Sequence, residues 1–301
     1  MIIKNNKLLK QDKFKLEKDI QNFVENHISD ILGEEYEFVC TEFPVGDFRI
    51  DSLAFNKETK SFIIIEDKKV ENKSLVDQGL TYLKLLRDRK ADFILKYNEV
   101  KNTNYNINDV DLSQSRVVFF SPYYNKYQIY SSDYQNIPFD LFKVTKYEDG
   151  IIDIEKIERN SKEKIDTSIF NEILKSDNKQ EEIKVYTEED HLCNVNENIR
   201  ELYEKLKDRI LELGDIDIEV KKVYIAFKGR RNIADIDMIH NRLRVSINMK
   251  KGTLSDPLNI TQDITNIGHW GNGDYRVDIY KLDDIDKVIP LIKQSLEINK
   301  K

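Results

Sequence analysis

The chain of 301 residues is long enough for two domains of ordinary size, so it can bury a full hydrophobic core. With 40% hydrophobic and 34% charged residues, 15 Tyr and 14 Phe, it is not a wholly disordered chain, and a net charge of −7 argues against a protein that coats nucleic acid indiscriminately. A local basic groove is still compatible with that balance. The longest apolar runs, Phe62–Ile65 and Val288–Ile292, fall far short of the roughly 18 residues that cross a bilayer. The first ten residues lack the apolar stretch of a signal peptide. A cytoplasmic protein with no membrane partner is expected. Cys40 and Cys193 are the only cysteines, far apart and without His at ligand spacing, which argues against a disulfide framework or a structural zinc site.

Leu16, Ile20, Phe23, Ile28 and Ile31 recur at spacings of three to five and predict an amphipathic helix over 13–33, ending at Gly33. The period then changes. Residues 36–45, 48–55 and 61–67 read as three β-rich runs joined by turns at 44–47 and 56–60, an antiparallel meander. Ser74 and Asp77 form a capping box for a helix to about residue 90, with Leu75, Gly79, Tyr82 and Leu86 on one face. A strand at 116–121 and a hairpin of 139–145 with 151–157 complete a first domain, 1–157. An acidic linker, 158–190, follows; residues 151–190 hold 12 acidic and 7 basic side chains, and a short helix is expected near 169–174. The remainder, 191–301, predicts an α+β domain with no internal repeat. It opens with a helix carrying Ile199, Leu202, Leu206 and Ile210. Strands follow at 218–227, 233–239, 242–248 and 274–281, then a last helix over 283–298.

The chemistry concentrates in Arg49–Ile50–Asp51–Ser52–Leu53 and Ile63–Ile64–Ile65–Glu66–Asp67–Lys68–Lys69. Strand side chains alternate, so Glu66 and Lys68 share a face while Asp67 points to the other. An acidic residue directly after three isoleucines is costly unless it is paired or bound to a cation. A hairpin that brings Asp51 beside Glu66 offers two carboxylates to one hard cation, Mg²⁺ or Mn²⁺, with the peptide oxygen of Asp67 as a third ligand. Lys68 then stands where it can orient or deprotonate a water, or stabilise the charge that develops on a phosphate. No Ser/His/Asp or Cys/His arrangement and no P-loop is present.

These residues resemble the PD-(D/E)xK nuclease superfamily, with Asp51 as the isolated acidic residue and Glu66–Asp67–Lys68 as the E-x-K half; Ile50 stands where that pattern often has proline. The resemblance implies an α/β, restriction-endonuclease-like N-terminal domain of helix, three-stranded meander, helix and strand. It also implies that Glu17 assists the cation through water and that Gln78, with Tyr82 one turn on, contacts the substrate or positions the lysine. Arg49–Ile50–Asp51, Ile65–Lys68, Asp77–Leu83 and Gly268–Gly273 further resemble bacterial two-domain proteins catalogued as predicted transport proteins, which join such a half to a C-terminal domain of unknown function. The label of transport finds no support in these residues. The implied activity is Mg²⁺- or Mn²⁺-dependent hydrolysis of phosphodiester bonds in nucleic acid, DNA ahead of RNA, and a homodimer is compatible with it. The alternative is a module on the same scaffold that binds nucleic acid or protein without cutting.

Beyond the catalytic set of Asp51, Glu66, Lys68, Gln78 and Glu17, several residues are candidates for contacting nucleic acid. Lys69 and Lys73 follow the strand, and Tyr82 lies on the next helix. Lys228, Arg230 and Arg231 sit in a turn where cations can meet phosphates or simply stay solvated. Trp270 lies in Gly268–Gly273, which holds three of the ten glycines; its face can stack on a base or anchor a tight turn.

Overall fold

The structure, a computed structural model, describes residues 2–4, 6–69, 75–133, 137–158, 183–239, 241–265 and 272–299. It is mixed α/β and divides into two compact units, Met1–Val185 and Tyr186–Lys301. The division lies inside the segment expected as a linker; residues 159–182, with the expected helix at 169–174, are outside the described residues.

The first unit opens with a two-stranded ribbon, β1 (Ile3–Lys4) and β2 (Lys7–Leu8), and a short strand β3 (Gln11–Asp12). Helices α1 (Glu17–Asn26) and α2 (Ile28–Leu32) come next. The single helix expected over 13–33 is therefore shorter and broken. It starts only where the Asp19 carboxylate accepts the Leu16 backbone N–H at 2.9 Å, and it breaks at His27, whose backbone is non-helical. The meander forms as expected: β4 (Tyr36–Val45), β5 (Phe48–Asn56) and β6 (Ser61–Asp67), paired antiparallel. Next come α3 (Leu75–Asp88) and α4 (Lys90–Lys101), then β7 (Arg116–Ser121), α5 (Lys126–Ser132), β8 (Phe139–Tyr147) and β9 (Ile152–Lys156). Ser74, half of the expected capping box, lies outside the described residues.

The strand order is β3-β8-β7-β6-β5-β4, with β9 also on β8; β6, β7 and β8 run parallel. Parallel neighbours require crossovers, and α3–α4 and α5 supply them. A sheet covered on both faces must be apolar on both, which explains the continuous run Phe62–Ile65, all buried. Phe62 and Ile64 pack with Leu83, Leu86 and Phe93 of α3 and α4, while Ile63 and Ile65 pack with Ile20 and Val24 of α1. Each such side chain contributes roughly 1.5–3 kcal/mol on burial.

In the second unit, α6 (Glu188–Leu192) and α7 (Glu197–Leu211) precede β10 (Asp217–Val220), β11 (Ile225–Lys228), β12 (Asn232–Ile239), β13 (Arg242–Ile247), β14 (Gln262–Asp263), β15 (Tyr275–Ile279) and α8 (Leu282–Asn299). The strand expected over 218–227 is a hairpin of β10 and β11. The sheet, order β10-β11-β12-β13-β15-β14, is antiparallel throughout, and side chains of α7 and α8 form one core with its inner face. Gly273, at φ +92, runs so close to β13 that a Cβ would lie 2.0 Å from the Ile247 carbonyl oxygen, so only glycine fits there. Among the described residues no helix is long and apolar enough to cross a membrane.

The site described below depends on how closely α3 lies on the sheet, and Gly79 sets that distance. A Cβ there would meet the buried Phe139 ring at 2.6 Å and that of Phe119 at 3.1 Å. Alanine gains about 1 kcal/mol in helix propensity, but overpacking of this kind costs about 1–3 kcal/mol. Gly79→Ala is expected to lower the melting temperature; an unchanged or higher value would show that α3 can ride away from the sheet without loss.

Candidate active site

The expected site residues meet where the start of β5 lies against the end of β6. Ser52 pairs with Ile65 and Leu53 with Ile64, and continuing this register brings Asp51 beside Glu66. The Asp67 backbone N–H donates to Asp51 Oδ2 at 3.1 Å, which locks the aspartate to the strand end. Lys68 follows, its own N–H donating to the Phe120 carbonyl of β7 at 2.8 Å. Its ammonium donates to Glu66 Oε1 and stands 4.0 Å from Asp51 Oδ2 and 3.9 Å from Glu17 Oε1. One lysine is thus ringed by three carboxylates from three elements. From α3, Gln78 Nε2 also donates to Glu66 Oε1 and to Tyr82 Oη at 2.9 Å, and Tyr82 in turn donates to the Arg49 carbonyl at 3.2 Å.

Glu66 is 2% exposed and its two oxygens differ. Oε1 holds two donors, whereas Oε2 is buried with no hydrogen-bond partner. A buried carboxylate oxygen without a partner is costly, and that cost is relieved by a cation. Burial, then the neighbouring Asp51 charge, outweighs Lys68 and pushes the Glu66 carboxyl up to about 7. Burial also raises Asp51, helped by Glu17 and Glu42 and opposed by the Asp67 N–H and Lys68. For Lys68, burial works against its charge, but Glu66, Asp51 and Glu17 together outweigh it and the ammonium is held more firmly than usual. Asp67 is fully buried on the other face with both oxygens unpartnered; burial, Asp51 and Glu66 push its carboxyl well above the usual carboxylate range.

Asp51 and Glu66 fit a hard divalent cation by donor type and by the stranded Glu66 oxygen. No group of three His, Cys, Asp or Glu side chains suited to a metal occurs among the described residues. A two-carboxylate site would therefore lean on the peptide oxygen and on water, as Mg²⁺ sites commonly do.

The expected site residues fall into three groups. Asp51, Glu66, Lys68, Gln78 and Glu17 converge, with Glu17 also accepting the Lys69 N–H at 2.9 Å. Tyr82, expected to contact nucleic acid, is 4% exposed, its hydroxyl accepting the Gln78 amide. Lys69 donates its ammonium to the Lys15 carbonyl, and Lys228 pairs with Glu219 at 3.0 Å, so both have protein partners where phosphate contacts were expected. Arg230 and Arg231 are exposed in the expected turn. Lys73 and Trp270 lie outside the described residues. At the described end of that glycine-rich segment, the Asn272 backbone N–H donates to the buried Asp235 at 2.6 Å.

Sequence reasoning missed a network on α1. Gln21, 4% exposed, donates to the Asp51 carbonyl at 2.6 Å and to Thr41 Oγ1 at 3.0 Å, and Ser52 Oγ donates to Glu25 at 2.6 Å. The signal was present: Glu17, Gln21 and Glu25 stand at i, i+4 and i+8, one helix face beside the apolar stripe.

Residues 188–299 match a domain of unknown function (DUF5655). A protein of Haemophilus influenzae, strain Rd KW20, described as an uncharacterized protein, is 43% identical over 290 residues, covering 96% of this chain and 95% of its own length. No solved structure matches.

A carboxyl raised in the folded state adds stability below its unfolded value of 4.5 and loses that contribution as pH rises through about 7. With divalent ions removed, Glu66→Gln should melt above wild type at pH 8 by about 2–6 °C. The gap should narrow toward pH 5. A gap independent of pH, read by thermal melts across that range, would contradict a disfavoured charge at Glu66.

Proposed function

We propose, for a chain that belongs to the family of the uncharacterized Haemophilus influenzae protein, that it is a divalent-cation-dependent nuclease of the PD-(D/E)xK kind whose first unit is restriction-endonuclease-like. The observation that carries this reading is the meeting of Asp51, Glu66 and Lys68 at one strand end, with Glu66 Oε2 buried and unpartnered. The order of helix, three-stranded meander, helix and parallel strand supports it.

Asp51 and Glu66 would hold the cation, Mg²⁺ or Mn²⁺, with Glu17 at the rim. When bound, such an ion lowers the pKa of water and offsets negative charge on a phosphate oxygen. The residues of the chain do the rest. Gln78 and Tyr82 fix the Glu66 rotamer from beneath, and Gln21 fixes the backbone of Asp51 from the other side. Lys68, which donates to Glu66 Oε1, would offer its ammonium to the scissile phosphate and the attacking water. At 14% side-chain exposure it is sheltered enough for its charge to act through little water.

A second reading, a binding module that does not cut, draws on one specific observation. Glu66 Oε1 already carries both the Lys68 ammonium and the Gln78 amide, as a purely structural ion pair would.

Single- and double-stranded DNA and RNA incubated with wild-type protein and Mn²⁺ separate the two. The nuclease reading expects cleavage that falls about 10²-fold or more in Lys68→Ala and in Asp51→Asn. The absence of cleavage of every substrate, or cleavage undiminished in Lys68→Ala, would overturn it. Calorimetry should show Mn²⁺ binding lost in Asp51→Asn.

A further inference from the structure

Where β7 ends beside the candidate active site, the chain does something the catalytic set does not explain. Tyr124 is pinned inward, its hydroxyl donating to the Phe119 carbonyl at 2.8 Å and to that of Phe142 at 3.1 Å. Ser121 Oγ donates to the Tyr123 carbonyl at 2.9 Å and accepts the Tyr123 N–H at 3.2 Å. Asn125 and Gln128 exchange side-chain-to-backbone bonds of 3.0 and 2.9 Å that fix the start of α5. This rigid segment turns three tyrosines outward: Tyr123, Tyr127 and Tyr130 are 55%, 72% and 71% exposed. Exposed rings on a fixed backbone have little conformational entropy left to lose on meeting a flat partner.

Between this segment and the first turn of α3 lies a cavity of about 580 Å³, lined by Val76, Asp77, Lys126, Tyr127, Gln128 and Ser131 among others. Its size falls within the range of small-molecule sites, and its lining mixes an aromatic face with a few polar groups. The Lys126 ammonium lies 5.3 Å from the Tyr127 ring centroid. The cavity abuts the same turn of α3 that presents Gln78 to Glu66, and Lys68 is bonded to Phe120, one residue before Ser121. Cavity and candidate active site therefore share the start of α3.

From this geometry we infer that the cavity and its outward tyrosines receive unstacked bases of single-stranded nucleic acid and lead the strand to the candidate active site. The inference rests on the nuclease reading for what happens at Lys68, but not for the binding itself. Base faces stack on tyrosine whatever the sequence. The Asp77 carboxylate repels phosphate and accepts hydrogen bonds from base amino groups, so the base enters the cavity and the backbone stays outside, near Lys126. A duplex keeps its bases stacked and would have to unpair and unstack one to deliver it.

Fluorescence anisotropy with labelled 20-nucleotide single-stranded DNA, single-stranded RNA and duplex DNA, in EDTA, tests this. At least one single strand should bind tenfold or more tightly than the duplex. Tyr127→Ala and Tyr130→Ala should each weaken that binding fivefold or more, and Tyr127→Trp should retain it. These side chains are exposed, so unchanged thermal melts certify the fold of the variants. Equal affinity for single strand and duplex, or alanine variants that both bind like wild type, would overturn the inference. Tyrosine-dependent single-strand binding without cleavage in Mn²⁺ would leave it standing and end the nuclease reading. Duplex cleavage with binding indifferent to the tyrosines would do the reverse.

Discussion

The pairing register of β5 with β6 is the constraint on which the candidate site depends. With Ser52 opposite Ile65, Asp51 lies beside Glu66 at the strand end, and the Asp67 N–H reaches its carboxylate. A slip of one residue would exchange the two faces, sending Ser52 to the place of Asp51 and Asp51 in among Ile20 and Val24. The register is held from both sides of the sheet. Phe62 and Ile64 are committed to the core under α3 and α4, and Ile63 and Ile65 to the core under α1, so neither set can trade places without exposing or crowding large apolar side chains.

Around that register two helices work in opposite directions on one cluster of charge. From α3, Gln78 and Tyr82 grip Glu66, and Gly79 lets the helix come close enough to do so. From α1, Glu17 approaches Lys68, Gln21 holds the Asp51 backbone, and Glu25 receives Ser52. The result is a buried site with more carboxylates than its single lysine can satisfy. Such a site stores unfavourable electrostatic energy in the folded protein, which a bound cation would release. The raised Glu66 carboxyl and its stranded oxygen are two expressions of that same excess.

Much of this was legible in the chain because strands impose a strict alternation. Glu66 and Lys68 on one face, Asp67 on the other, and Asp51 across a short turn all follow from period two and turn length. Helical positions were harder. Gln21 and Glu25 share a helix face with Glu17, but polar residues beside an apolar stripe look the same whether water or a buried strand lies opposite. The helix α4 escaped notice because its buried residues, Phe93, Ile94 and Tyr97, are few and crowded together, while Leu95 and Val100 face outward. The α5 segment escaped for a related reason: its tyrosines point away from the core, so hydrophobic periodicity misses it. Tyr82 shows the converse: its burial follows from its place on the apolar face with Leu75, Gly79 and Leu86, and only packing reveals its bond to Gln78.

The central claim is that Asp51 and Glu66 share one divalent ion in place of the Lys68 ammonium. Anomalous diffraction from crystals soaked in Mn²⁺ tests it most directly. The account predicts a single manganese peak in contact with both carboxylates, with Lys68 Nζ moved off Glu66. An ordered site that keeps the Lys68–Glu66 pair intact and shows no manganese there would contradict it.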